Sequence, residues 1–110
     1  MTHSPESLRI LTMNKIYSMI GLAMKAGKVV SGEFAVEKAI KDGKAFLVII
    51  AEDASENTKK HFTDMCVYRN ISYQIWGEKD TLGHMIGKAE RASLAVTDQG
   101  FATSIQKHFG

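Results

Sequence analysis

Cysteine is almost missing from this chain. Cys66 stands alone, so no internal disulfide can form and a cysteine-based zinc site lacks its companions, which agrees with a reducing compartment. Long apolar runs are missing too. The longest, Phe46 to Ala51, falls far short of the roughly 20 residues that span a bilayer. The opening MTHSPESLRIL has neither a basic start with a long apolar stretch behind it nor a small-residue cleavage site, so no secretory signal is expected. These absences predict a cytoplasmic chain without a membrane partner.

A large excess of either charge is also absent. The net charge is +2, yet residues 1–50 hold seven Lys/Arg against four acids, whereas residues 51–110 hold seven against eight. The positive excess sits in the N-terminal half and slightly favours a polyanionic partner. What is present is enough apolar material for one core: 45% of 110 residues builds a single domain and not two.

Periodicity divides the chain into alternating elements. Residues 1–13 read as a tail, with Ser4-Pro5-Glu6 able to open a helical turn. Residues 14–110 read as the domain. Ile16, Met19, Ile20 and Ala23 form one stripe on a first helix over 15–26, and Gly27 is a natural stop. Val29-Val30 makes a short strand, and Ser31 then caps a second helix that ends at Asp42-Gly43 and buries Val36, Ala39 and Ile40. The run Phe46–Ala51 is expected as a central strand covered on both faces. Ser55 caps a third helix carrying Phe62, Met65, Cys66 and Arg69, with Cys66 toward the core. Strands at 72–76 and 92–96 and helices at 79–86 and 101–109 complete the order α-β-α-β-α-β-α-β-α. Strands separated by helices predict an α/β fold, a small sheet sandwiched between helical layers.

Few residues are arranged for catalysis. Gly21 to Lys28 looks like a phosphate loop, but five residues separate Gly21 from Gly27, Val29 replaces the hydroxyl residue, and the segment reads helix then strand. The four histidines are scattered without metal-ligand spacing, and no metal or cofactor is expected. Cys66 shares a helical phase with Phe62 and Met65, which suits a packed thiol better than a nucleophile. Glu52-Asp53 suits a strand end or a cap for the next helix better than an acid/base pair.

The start of the second helix is more informative. Gly32 lies beside the free N–H groups of a helix N-terminus, where a phosphate or base edge approaches without meeting a Cβ. Lys28, Lys38, Lys41 and Lys44 surround it, and helical spacing puts Lys38 and Lys41 on one face as a basic rim. An ordinary solvated helix face is the competing reading.

The string Gly32-x5-Lys38-Ala39-Ile40-x2-Gly43-Lys44-Ala45-x-Leu47 through Ala54 resembles the family of archaeal ribosomal protein "L-seven-Ae", its eukaryotic small nuclear and nucleolar relatives, and the L-thirty proteins. Later pieces continue the likeness: Cys66, Ile71-Ser72-Tyr73, Lys79, Leu82-Gly83 and Ala92 to Val96. GLAMKAGKVVSGE and VTDQGFA most resemble the bacterial YlxQ-type branch. The likeness spans about residues 14–108. It implies a three-layer α-β-α sandwich on a small mixed four-stranded sheet, and a monomeric, noncatalytic, ribosome-associated protein that binds structured, kink-turned RNA. The family reads sheared G·A pairs with an Asn-Glu pair, adds a lysine one turn on, and packs a loop against an unstacked nucleotide. The matching positions here are Gly32, Lys38 and Lys79, with Lys88, Ala89, Glu90 and Arg91 as the loop. Lys41 joins Lys38 and Lys79 as a phosphate contact.

Phe34 and Ala35 occupy the Asn-Glu positions, so base discrimination must come from Glu33, the backbone or shape. Phe34 either stacks on a splayed base or packs against its own helix. Glu33 either accepts from a guanine edge or only favours the helix N-terminus. The departure keeps an alternative open, a protein-interaction module on the same fold that has lost RNA binding. An enzyme acting on RNA would need turnover sensitive to Glu52, Asp53 or His84.

Overall fold

The computed structural model describes residues 5–109, in which five helices alternate with four strands. Helices α1 (Pro5–Lys25), α2 (Glu33–Lys41), α3 (Glu56–Arg69), α4 (Lys79–Met85) and α5 (Gln99–Lys107) flank strands β1 (Val29–Ser31), β2 (Leu47–Ile50), β3 (Ser72–Ile75) and β4 (Ser93–Val96). The sheet order is β1-β4-β2-β3. β4 runs antiparallel to both neighbours, with Val30 opposite Ala95 and Val48 opposite Ala95, while β2 and β3 are parallel. One layer holds α1, α4 and α5, the other α2 and α3. The result is a three-layer sandwich on a mixed sheet.

The core lies on both faces of the central strands. Every residue of β2 and β4 is buried, as a strand between two helical layers requires. Ile16, Ile20, Val36, Ile40, Phe62, Leu82 and Ile105 close over it, each at 2% exposure or less. Cys66 is buried among them. Removal from water disfavours its thiolate and pushes the thiol up to about 11.

Two expectations need correction. Residues 5–13 are not a tail: they belong to α1, which is unbroken over Pro5–Lys25. Residues 1–4 lie outside the described residues. Periodicity missed this stretch because Leu8, Ile10 and Leu11 are about half exposed and bury no stripe; extending a packed helix needs only one bond per residue, without a new nucleus. Ser31 is the last residue of β1 and does not cap α2. Gly32 holds the N-cap position at φ 91° and ψ 160°, with no side-chain cap. Glu52-Asp53 follows the end of β2, the first of its two expected roles, and Ser55 caps α3 as expected by accepting the Thr58 N–H.

Candidate nucleic-acid interface

β1, β2 and β3 all point the same way, so their C-terminal ends and the start of β4 meet at one edge of the sheet. Loops at such an edge are free to vary over a fixed scaffold, and ligands of open α/β sheets gather there. Gly32 follows β1, Asp53 follows β2, Lys79 follows β3, and the segment 86–92 precedes β4.

Hydrogen bonds tie these four pieces together. Gly32 donates its N–H to Ser93 O at 3.1 Å. Arg91 Nε donates to Ser31 Oγ at 3.1 Å, so the side chain expected to cap α2 instead anchors the loop. The Arg91 N–H reaches Lys79 O at 3.0 Å, and the Lys79 N–H reaches Asp53 Oδ1 at 2.9 Å. Asp53 therefore caps α4, 26 residues on. Arg91 Nη1 also donates to Glu90 O at 2.9 Å and Ala89 O at 3.3 Å, which fixes the shape of the loop tip.

Two glycines shape this edge. A Cβ on Gly32 would meet nothing within 4 Å, so a ligand has open access to the backbone, while its φ of 91° is one that L side chains rarely adopt. Gly83 works by closeness. A Cβ there would run into the Ala89 carbonyl and come within 2.9 Å of Glu90 Cα. The loop can lie on α4 only because that position is bare. The Lys88 N–H donates to Gly83 O at 2.9 Å and seals the contact.

α2 thus presents an N-terminus without a side-chain cap, where free N–H groups and the positive end of the helix dipole suit an anion. Phe34, one position into the helix, is 82% exposed, so it does not pack against its own helix. Glu33 is exposed beside it. Lys38 Nζ holds Asp42 Oδ2 at 2.9 Å. Lys41 holds Glu37 Oε1 at 2.8 Å, and Glu37 also meets His61 Nε2 at 3.3 Å. The Lys41 and His61 partners keep the Glu37 carboxyl below its ordinary range, Lys41 foremost. Lys38 and Lys41 therefore lean to different flanks: Lys41 toward α3, Lys38 toward the Phe34 side. Both ion pairs are exposed and weak, so exchange for a phosphate costs little. Lys79 and Arg91 are half-buried, and Lys88, Ala89 and Glu90 are exposed.

Sequence reasoning missed the Ser31–Arg91 and Asp53–Lys79 hydrogen bonds, which join residues far apart in the chain. Among the described residues no group of three or more His, Cys, Asp or Glu side chains is placed to hold a metal ion, and no helix is long and apolar enough to cross a membrane.

Fold and edge together define an α-β-α sandwich that gathers a bare helix start, a capped second helix start and a pinned loop on one face. Residues 14–106 match the profile of the Ribosomal protein L7Ae/L30e/S12e/Gadd45 family, and the chain belongs to that family. Its relatives include the RNA-binding protein YlxQ of Bacillus subtilis (strain 168), 47% identical over 89 residues, covering 81% of this chain and 89% of that protein. The large ribosomal subunit protein eL8 of Picrophilus torridus is 33% identical over 98 residues, covering 88% of this chain and 74% of that protein. A solved protein of unknown function from Bacillus halodurans C superposes with a TM-score of 0.83 at 37% identity, over 86% of this chain and 95% of that one. The Giardia lamblia 15.5kD RNA binding protein gives 0.72 at 18% identity, over 88% and 89%, a likeness of fold.

Proposed function

We propose that this chain is a noncatalytic RNA-binding protein that recognises structured, kink-turned RNA, within the ribosome or another cytoplasmic noncoding RNA, as a monomer. The observation that carries the reading is the hydrogen-bonded path Ser31–Arg91–Lys79–Asp53, which locks the α2 start, the α4 start and the 88–91 loop into one rigid face. Rigid positioning is what shape readout of RNA needs, because most of its contacts go to phosphates and sugars. Gly32 admits the RNA backbone to the α2 N–H groups. Lys38, Lys41 and Lys79 neutralise phosphates, and Glu33, Phe34 and the Lys88-Ala89-Glu90-Arg91 loop meet the distorted bases. The names of the YlxQ and eL8 relatives support the RNA-binding and ribosomal parts of this reading.

The test is crosslinking to total cellular RNA with nucleotide-resolution sequencing, followed by titration of the hit as a kink-turn and as a straightened duplex. Tighter binding to the kinked form is expected. Equal affinity removes the kink-turn requirement. Partners that co-purify unchanged after ribonuclease treatment, with no RNA crosslinked, would instead make the chain a protein-interaction module.

A further inference from the structure

The α2 start continues into a hollow that shares Phe34 and Lys38 with the proposed RNA face and extends beyond it to Lys44 and Thr97. It runs down the flank of α2, measures about 330 Å³ and has an apolar floor of Val30, Ala35 and Ala39. Phe34, Lys38 and Lys44 stand on its rim. That volume falls within the range of small-ligand sites.

Its chemistry is specific. Phe34 offers an aromatic face that no neighbour covers, at 82% exposure. Asp42 also lines the hollow, but the hydrogen bond from Lys38 and the charge of Lys44 hold its carboxyl below the ordinary range, so two cations face one carboxylate. At the far end Thr97 donates its N–H to Lys28 O at 2.8 Å, which brings the exposed Lys28 to the same region. An apolar floor, a bare aromatic wall and a net positive rim fit a flat heterocycle carrying a phosphate. An acyl chain or an apolar peptide would make no use of the charge that Lys44 adds to the Lys38–Asp42 pair.

We propose that this hollow seats one unpaired nucleobase of the bound RNA, stacked on Phe34, with the attached phosphate held by Lys44. The proposal rests on the RNA-binding reading and deepens it. An exposed aromatic at the α2 start has no hydrogen-bonding group for a base edge, so recognition there is by stacking, which tolerates any base.

The experiment uses the full chain and two kink-turn hairpins, one with an unpaired 2-aminopurine in its bulge and one abasic at that nucleotide. Wild type should quench the 2-aminopurine on binding and prefer that hairpin to the abasic one by about tenfold, as expected for one stacked base. Phe34→Ala should abolish both the quench and the preference. Phe34 is exposed, so the variant keeps its fold. Lys44→Gln should lower the magnitude of the slope of log affinity against log salt by about 0.7, one single-strand phosphate contact. Phe34→Ala weakening both hairpins equally, or Lys44→Gln leaving the slope unchanged, overturns the pocket while leaving RNA binding intact. Phe34→Ala that affects only capture of a protein partner overturns it in favour of a protein occupant. Wild type binding neither hairpin overturns the RNA reading itself, and the pocket with it.

Discussion

Arg91 joins two stretches of chain that are 60 residues apart, donating to the Ser31 hydroxyl and to two carbonyls of its own loop. A lysine cannot reproduce that fork, because its donors radiate from one nitrogen. Arg91→Lys should therefore weaken RNA binding about tenfold, while thermal unfolding moves by no more than the roughly 1 kcal/mol of a typical hydrogen bond. Unchanged affinity would show that the loop needs no pinning. Cys66 gives a second prediction at this scale. Its thiol is buried and pushed up to about 11, so burial both hides it and keeps it protonated. Iodoacetamide should label native protein far more slowly than urea-unfolded protein at pH 8. Equal rates would place the thiol at the surface.

At the scale of elements, the 88–91 loop depends on α4 as much as on its own residues. Gly83→Ala would push the Ala89 carbonyl off the helix, an overpacking change that costs about 1–3 kcal/mol. A fall in melting temperature of at least about 4 °C is expected, together with loss of RNA affinity, since the loop and Lys79 share a hydrogen bond. A variant with wild-type affinity would detach the loop from the site. Phe62→Ala in α3 should behave differently. It empties a fully buried position that offers no surface to a ligand and should cost about 3–5 kcal/mol of stability, with affinity intact where the protein remains folded.

The elements also show what was legible in the sequence. β2, with its buried Leu47–Ile50, and Cys66 on the core side of α3 followed directly from apolar runs and helical phase. The beginning of α1 did not, because Leu8, Ile10 and Leu11 face solvent and leave no stripe to count. Ser31 looked like a cap because serine before a helix usually is one; its hydroxyl accepts from Arg91 instead, a contact that local spacing cannot reveal. Asp53 was recognisable as a capping residue, but the helix it caps was not the adjacent one. Gly32 and Lys38 were legible from the helix start and helical spacing, Lys79 and 88–91 only from family likeness; that Gly32, Lys79 and the loop meet at one edge follows from strand direction, which appears only once the sheet is assembled.

At the scale of the whole molecule, a net charge of +2 is too small to attract RNA from any direction. Binding must come from the local grouping of cations around the α2 and α4 starts, so it should depend on a few lysines and on salt. The most direct measurement is equilibrium titration of a kink-turn RNA, at low and moderate salt, against wild type and a Lys38→Glu/Lys79→Glu variant that reverses two charges on this face. Wild type should lose affinity steeply as salt rises, with log affinity falling linearly in log salt. The variant should bind at least about thirtyfold more weakly at low salt, at roughly 1 kcal/mol for each of the two reversed charges. A wild-type affinity that ignores salt, or a variant that binds as tightly as wild type, would contradict the assignment of RNA to this face.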